Sequence, residues 1–171
     1  DVEYPLGRIV VDALQNTART EVALIPTRHI EGGLPRGTVT YGDLFDVLPE
    51  GVGITKLIVP GSTLKEVIEW ALFDGSPSAH IAGLIVRYDP ERTPGQRIRN
   101  IQFPDGRSVR DNEEYSLAVP SSVHRGDDQY PMLYRFEGED TGVSAVDALA
   151  NYLRRLPAPV RTPQARRFTL D

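Results

Sequence analysis

Chemistry in this 171-residue chain has few places to start: histidine occurs only at His29, His80 and His124, and cysteine does not occur. Without thiols there is no disulfide, no thiolate nucleophile and no Cys-ligated zinc. A divalent metal would have to draw on His29, Glu31, His124 and Asp127 or Asp128, from two loops far apart in sequence. No tight ligand spacing such as His-x3-His supports that set. A metallophosphoesterase centre needs His, Asp and Asn from several loops around two metals, yet neither Asp-x-His nor Gly-Asn-His occurs. Walker A, Rossmann glycine and Gly-x-Ser-x-Gly patterns are also missing. The sequence carries no self-contained nucleophile, base and metal set, so no catalytic residue and no metal site is assigned to it.

Composition narrows the partners. The net charge is −5, with 17 Arg and two Lys scattered along the chain. Nucleic-acid binding calls for a concentrated cationic stripe that releases counterions, and none is visible. The densest basic stretch, residues 161–167, lies in a Pro- and Arg-rich tail (157–171) that reads as a solvated terminus. No apolar run approaches the roughly 20 residues of a membrane span, and no signal-peptide pattern is present. The chain opens on Asp1, which reads as a processed chain or a piece of something longer. Its length suits a single domain over 1–171.

The elements that must position any site follow from hydrophobic period. Ile9, Val10, Ala13 and Leu14 give a helix over about 6–18 with Pro5 near its first turn. After Gly61, the residues Leu64, Val67, Ile68, Ala71 and Leu72 repeat at helical spacing, and Thr63 with Glu66 offers a capping box. Val146, Leu149, Ala150 and Leu153 give a third helix, capped by Ser144 and stopped before Pro157. A further short helical segment is expected over 40–47. Strands are expected at 22–25, 54–59, 84–88, 98–103 and 115–119, with a hairpin turn at Pro104-Asp105-Gly106. Helices interleaved with hairpins and longer crossovers imply α+β, a mixed β-sheet with packed helices. Trp70 is expected to pack beside the second helix's stripe, Tyr130 to anchor the core, and His80 to be a loop or edge histidine.

Six segments then resemble, in order, those of the 5′-nucleotidase family's C-terminal domain. They are Glu3-Tyr-Pro-Leu-Gly-Arg-Ile-Val-Val-Asp-Ala-Leu14; Val22-Ala-Leu-Ile25; Gly37-Thr-Val-Thr-Tyr-Gly-Asp-Leu44; Leu48-Pro49 with Leu57-Ile-Val-Pro-Gly-Ser-Thr-Leu-Lys-Glu-Val-Ile68; Ile81-Ala-Gly-Leu-Ile-Val-Arg-Tyr-Asp89; and Tyr115-Ser-Leu-Ala-Val-Pro120 with Gly126-Asp-Asp-Gln-Tyr130. The resemblance is clearest over residues 3–135. It implies a substrate-recognition domain whose hydrolytic metals sit in a separate N-terminal metallophosphoesterase domain. That domain would be the partner, together with a small-molecule ligand, in a periplasmic or extracellular setting.

The resemblance also places a ligand cleft at Arg28, His29, Glu31, Glu50, Ser122, His124, Arg125, Asp127 and Asp128. Several of these depart from the family pattern. Glu50 stands at the first aromatic clamp position and Ser122 at the second. Pro26 and Glu31 replace the Asn and Arg of the ligand loop, and only the ribose-type Asp persists, at Asp128. Each lost base-stacking ring removes roughly 1–3 kcal/mol, and Glu in place of Arg turns attraction for phosphate into repulsion. The expected role is a non-catalytic recognition domain with altered ligand specificity. The alternative is a structural or protein-interaction domain that keeps the fold and binds no nucleotide.

Overall fold

Strand β1 (Val22–Pro26) is buried along its whole length because helices or sheet cover it on both faces. Val22 and Leu24 point into one core, and Ala23 and Ile25 into the other. This period of two organises the molecule. The computed structural model describes residues 3–49, 51–126 and 129–171.

A five-stranded sheet has the order β3-β1-β6-β2-β7, with β2 at Gly53–Pro60, β3 at Ala79–Ala82, β6 at Glu114–Pro120 and β7 at Gly138–Ser144. Only β1 and β6 are parallel within it, through Val22↔Leu117 and Ala23↔Ala118. A three-stranded sheet pairs β4 (Ile85–Tyr88) with β5 (Ile98–Gln102) and, in parallel, with β8 (Phe168–Leu170). Helix α3 (Gly61–Ala71) and the small sheet share one core with the large sheet. Helices α1 (Pro5–Ala18), α2 (Tyr41–Val47) and α5 (Ala145–Arg155) build the other core. The arrangement is α+β with mixed sheets.

The periodic helices form where their stripes required, with Pro5 in the first turn of α1 and Ser144 accepting from the Asp147 amide to cap α5. The Pro104-Asp105-Gly106 turn closes through Phe103 and Arg107. The capping box at Thr63 does not form. Helix α3 starts at once from Gly61, leaving Thr63 inside the first turn and buried, where its hydroxyl accepts from Arg135 Nη2 at 3.2 Å. A capping box occurs at Thr40 and Asp43 instead. Gly61 is needed at that junction, since a Cβ would overlap the Arg110 carbonyl.

Two further expectations are revised, and His80 proves to be an edge histidine as expected. The tail is solvated only in part: residues 157–161 and 164–166 are exposed, but Phe168 is buried, β8 joins the small sheet, and Arg167 donates to Asp12 and to the Ile81 carbonyl. Trp70 does not pack inside. It lies on the flank of its helix at 36% exposure, tilted against the more exposed Phe73 with ring centroids 5.5 Å apart. His80 sits within β3, at the sheet edge, yet is completely buried. Helix α1 covers it, and a Cβ on Gly7 would overlap the His80 ring.

Candidate functional site

The C-terminal ends of the parallel pair β1 and β6 lie side by side, and both chains turn immediately into short helices. A 3-10 turn, Thr27–His29, follows β1, and α4 (Ser121–Arg125) follows β6. Antiparallel β2 enters the same end through Ile54↔Pro120, bringing residues 51–53, and β3 enters it through Pro26↔Ala79, bringing the 72–78 segment. The carboxyl ends of adjacent parallel strands are where open α/β sheets usually present ligand-binding loops.

Hydrogen bonds tie these loops together. The Thr27 amide donates to the Ser78 carbonyl at 2.9 Å, and the Ser78 amide and hydroxyl both reach the Ala71 carbonyl at the end of α3. The Glu31 amide donates to the Val47 carbonyl at 2.9 Å, fixing the first loop on α2. Thr55 Oγ1 donates to Ser121 Oγ at 3.2 Å, fixing α4 on β2. Tyr130 is buried beneath them, and burial pushes its hydroxyl up to about 12. The Arg28 charge and a hydrogen bond with Ser78 pull the other way.

The residues that the resemblance places in a cleft differ in their surroundings. Arg28, Glu31 and Arg125 are exposed at this end of the sheet. His29 and Ser122 are buried, at 4% and 7% exposure, and so belong to the loop supports. His124 Nε2 donates to the Phe136 carbonyl at 2.9 Å, and its ring packs where a Cβ on Gly138 would sit. It holds α4 on the start of β7. Glu50, Asp127 and Asp128 lie outside the described residues. Among the described residues no three His, Asp or Glu side chains gather as metal ligands. The 72–78 segment was missed because β3, Ala-His-Ile-Ala, is four residues long and lacks a strand's alternation.

The architecture is that of an α+β domain whose β1 and β6 end side by side in short helical turns, with no His, Asp or Glu metal-ligand cluster among its described residues. The sequence signature described as 5′-nucleotidase, C-terminal domain, matches residues 1–135, so the chain belongs to that family. It is 34% identical over 179 residues to a probable 5′-nucleotidase of Treponema pallidum, covering 90% of this chain and 30% of that protein. It is 25% identical over 173 residues to the endonuclease YhcR of Bacillus subtilis, covering 99% of this chain and 14% of that protein. The fold matches the 5′-nucleotidase precursor of Thermus thermophilus with a TM-score of 0.89, at 22% identity and over 98% of this chain and 35% of that one. It matches the NAD nucleotidase of Haemophilus influenzae with a TM-score of 0.82, at 18% identity and over 97% and 33% of the two chains. The chain therefore spans a third or less of the curated relatives named here. No helix among the described residues is long and apolar enough to cross a membrane.

Proposed function

We propose that this domain supplies substrate recognition, without catalysis of its own, to a 5′-nucleotidase-like phosphoester hydrolase, and that its ligand differs from an ordinary nucleotide. The observation that carries the reading is the convergence of the 27–31 and 121–126 loops at the ends of β1 and β6, with Arg28 and Arg125 exposed there. Two guanidiniums suit a phosphate or carboxylate group. The positions that would sandwich a base are Glu50 and Ser122, and Ser122 is buried, which argues against base stacking. Metals and the hydrolytic step would belong to a separate N-terminal metallophosphoesterase domain, and the setting would be periplasmic or extracellular.

A thermal-shift titration of the chain with adenosine, AMP, ribose 5-phosphate and inorganic phosphate tests this. Ligand at ten times its dissociation constant adds about 1.4 kcal/mol of stability, or roughly 3–5 °C for a chain of this size. Ribose 5-phosphate or phosphate should raise the melting temperature and adenosine should not, with no phosphatase activity in the chain alone. A shift with adenosine as large as that with AMP would mean that base recognition persists.

The burial of His29 and Ser122 also favours a second reading, a structural or protein-interaction domain that binds no nucleotide. No shift with any of the four compounds at millimolar concentration would support it.

A further inference from the structure

A groove of about 900 Å³ lies among α1, α2 and α5, on the face of the large sheet away from α3. It is bounded by the start of α1, the 32–39 segment, the start of α2, the end of α5 and the 158–162 segment. None of the six described residues of the cleft that the resemblance implies lines it. Its volume falls within the range of small-molecule pockets, and Leu6, Ile9, Leu34, Leu44 and Leu153 give it an apolar lining. Val39 and Val160 at its margin remain more than a third exposed, so apolar surface is left facing water.

The charge on this groove is one-sided. Among the described residues its charged lining is Arg36 and Arg154, both exposed, with no Asp or Glu, although the chain as a whole carries −5. Arg154 donates to the neutral Asn151 Oδ1 at 3.3 Å, and its charge also acts on nearby Asp147. The carboxylate beside the groove is Asp147. It already accepts from the Tyr41 hydroxyl at 2.6 Å and from Ser144 Oγ at 2.8 Å. The N-terminus of α1 opens on the same groove with no acidic residue in its first turn, which adds to the positive field without making a site by itself.

We propose that this groove binds a small amphiphilic anion, its apolar body against the leucines and its carboxylate or phosphate headgroup on Arg36 and Arg154. A neutral apolar ligand would gain the burial but not the ion pairing, and a cationic one would be repelled. Headgroup and body are therefore both specified by side chains on the groove.

Isothermal titration of the 171-residue chain with decanoate, decyl phosphate, decanol and decyltrimethylammonium tests the proposal. At least one anion should saturate at one per chain and bind at least tenfold more tightly than decanol, and the tighter of the two identifies the headgroup. Charge reversal at both positions (R36E with R154E) should remove that tenfold preference and leave decanol binding within twofold, with an unchanged circular dichroism spectrum. If the reversed chain folds poorly, R36Q with R154Q should show the same loss. Three results would each overturn the proposal: anions binding no tighter than decanol, an anion preference that survives both double variants, or decyltrimethylammonium matching decanoate. None of them bears on the role assigned to the ends of β1 and β6, which involves other residues.

Discussion

Arg167 holds Asp12 through a single Nη2 group, 2.6 and 2.8 Å from the two carboxylate oxygens, so the last strand is locked to the first helix. The lock has several bolts. Arg167 Nη1 donates to the Ile81 carbonyl at 2.6 Å, and the Arg167 and Phe168 amides both donate to the Glu3 carboxylate. Glu3 lies 3.7 Å from Arg8, whose Nε donates to the Pro163 carbonyl. Both members of the Arg167–Asp12 pair have side chains only 16% exposed. Loss of one partner would leave the other charge poorly solvated and unmatched.

Arg167→Met should therefore lower the free energy of unfolding by about 2–4 kcal/mol. Asp12→Asn should cost a comparable amount, and the double variant clearly less than the sum of the two, because the sites share one interaction. Urea unfolding of the four proteins measures this. Additive losses of about 0.5 kcal/mol each, the behaviour of solvated surface pairs, would mean that the tail is not anchored this way.

Gly7 and His80 form a second contact that admits no substitute. With the ring of His80 lying where a Cβ would be, Gly7→Ala should destabilise by about 1–3 kcal/mol through overpacking. The cost should shrink when His80→Ala is added, since the obstructing ring is then gone. A Gly7→Ala chain as stable as the parent would show that α1 can shift freely at this point.

His80 also sets a pH dependence. Neither ring nitrogen has a hydrogen-bond partner among the described residues, Tyr4 packs edge-on at 4.6 Å, and burial together with the charges of Arg8 and Arg167 lowers its pKa from 6.5 to about 4. The unfolded chain then binds a proton that the folded chain refuses between those values. Stability must fall as the pH drops through that window, by roughly 3 kcal/mol in total. Against His80→Leu, the parent should lose that much more stability between pH 7 and pH 4. Parallel pH profiles for the two proteins would contradict the assignment.

How much of this could be read from the chain depends on the range of the interactions involved. The stripes of α1, α3 and α5 are local, and so is the Pro-Asp-Gly turn, and these elements lie where the sequence places them within a residue or two. Strand β8 was invisible because three residues, Phe-Thr-Leu, carry no period, and its partners Val86, Arg87 and Tyr88 lie more than 80 residues away. The site divides in the same manner. The order of segments places candidate residues on loops, and no more than that. Whether a loop residue faces water is decided by packing against distant elements, which buried His29 and Ser122 and left Arg28 and Arg125 outside.

The last prediction separates lost ligand contacts from rebuilt structure. If Ser122 merely marked a missing ring, Ser122→Phe would restore a base platform at little cost. The side chain instead lies within α4 at 7% exposure, next to the Ser121–Thr55 contact that fixes this helix on β2. A phenyl ring there must displace its neighbours, so Ser122→Phe should cost about 1–3 kcal/mol and confer no thermal shift with adenosine. Glu31→Arg, at an exposed position, should change stability by no more than about 0.5 kcal/mol while strengthening any phosphate response, because it replaces a repelling charge by an attracting one. Differential scanning fluorimetry of both variants, with and without ligand, decides the matter. A stable Ser122→Phe chain that responds to adenosine would make nucleoside binding recoverable by one exchange, and the altered-ligand reading would fail at that position.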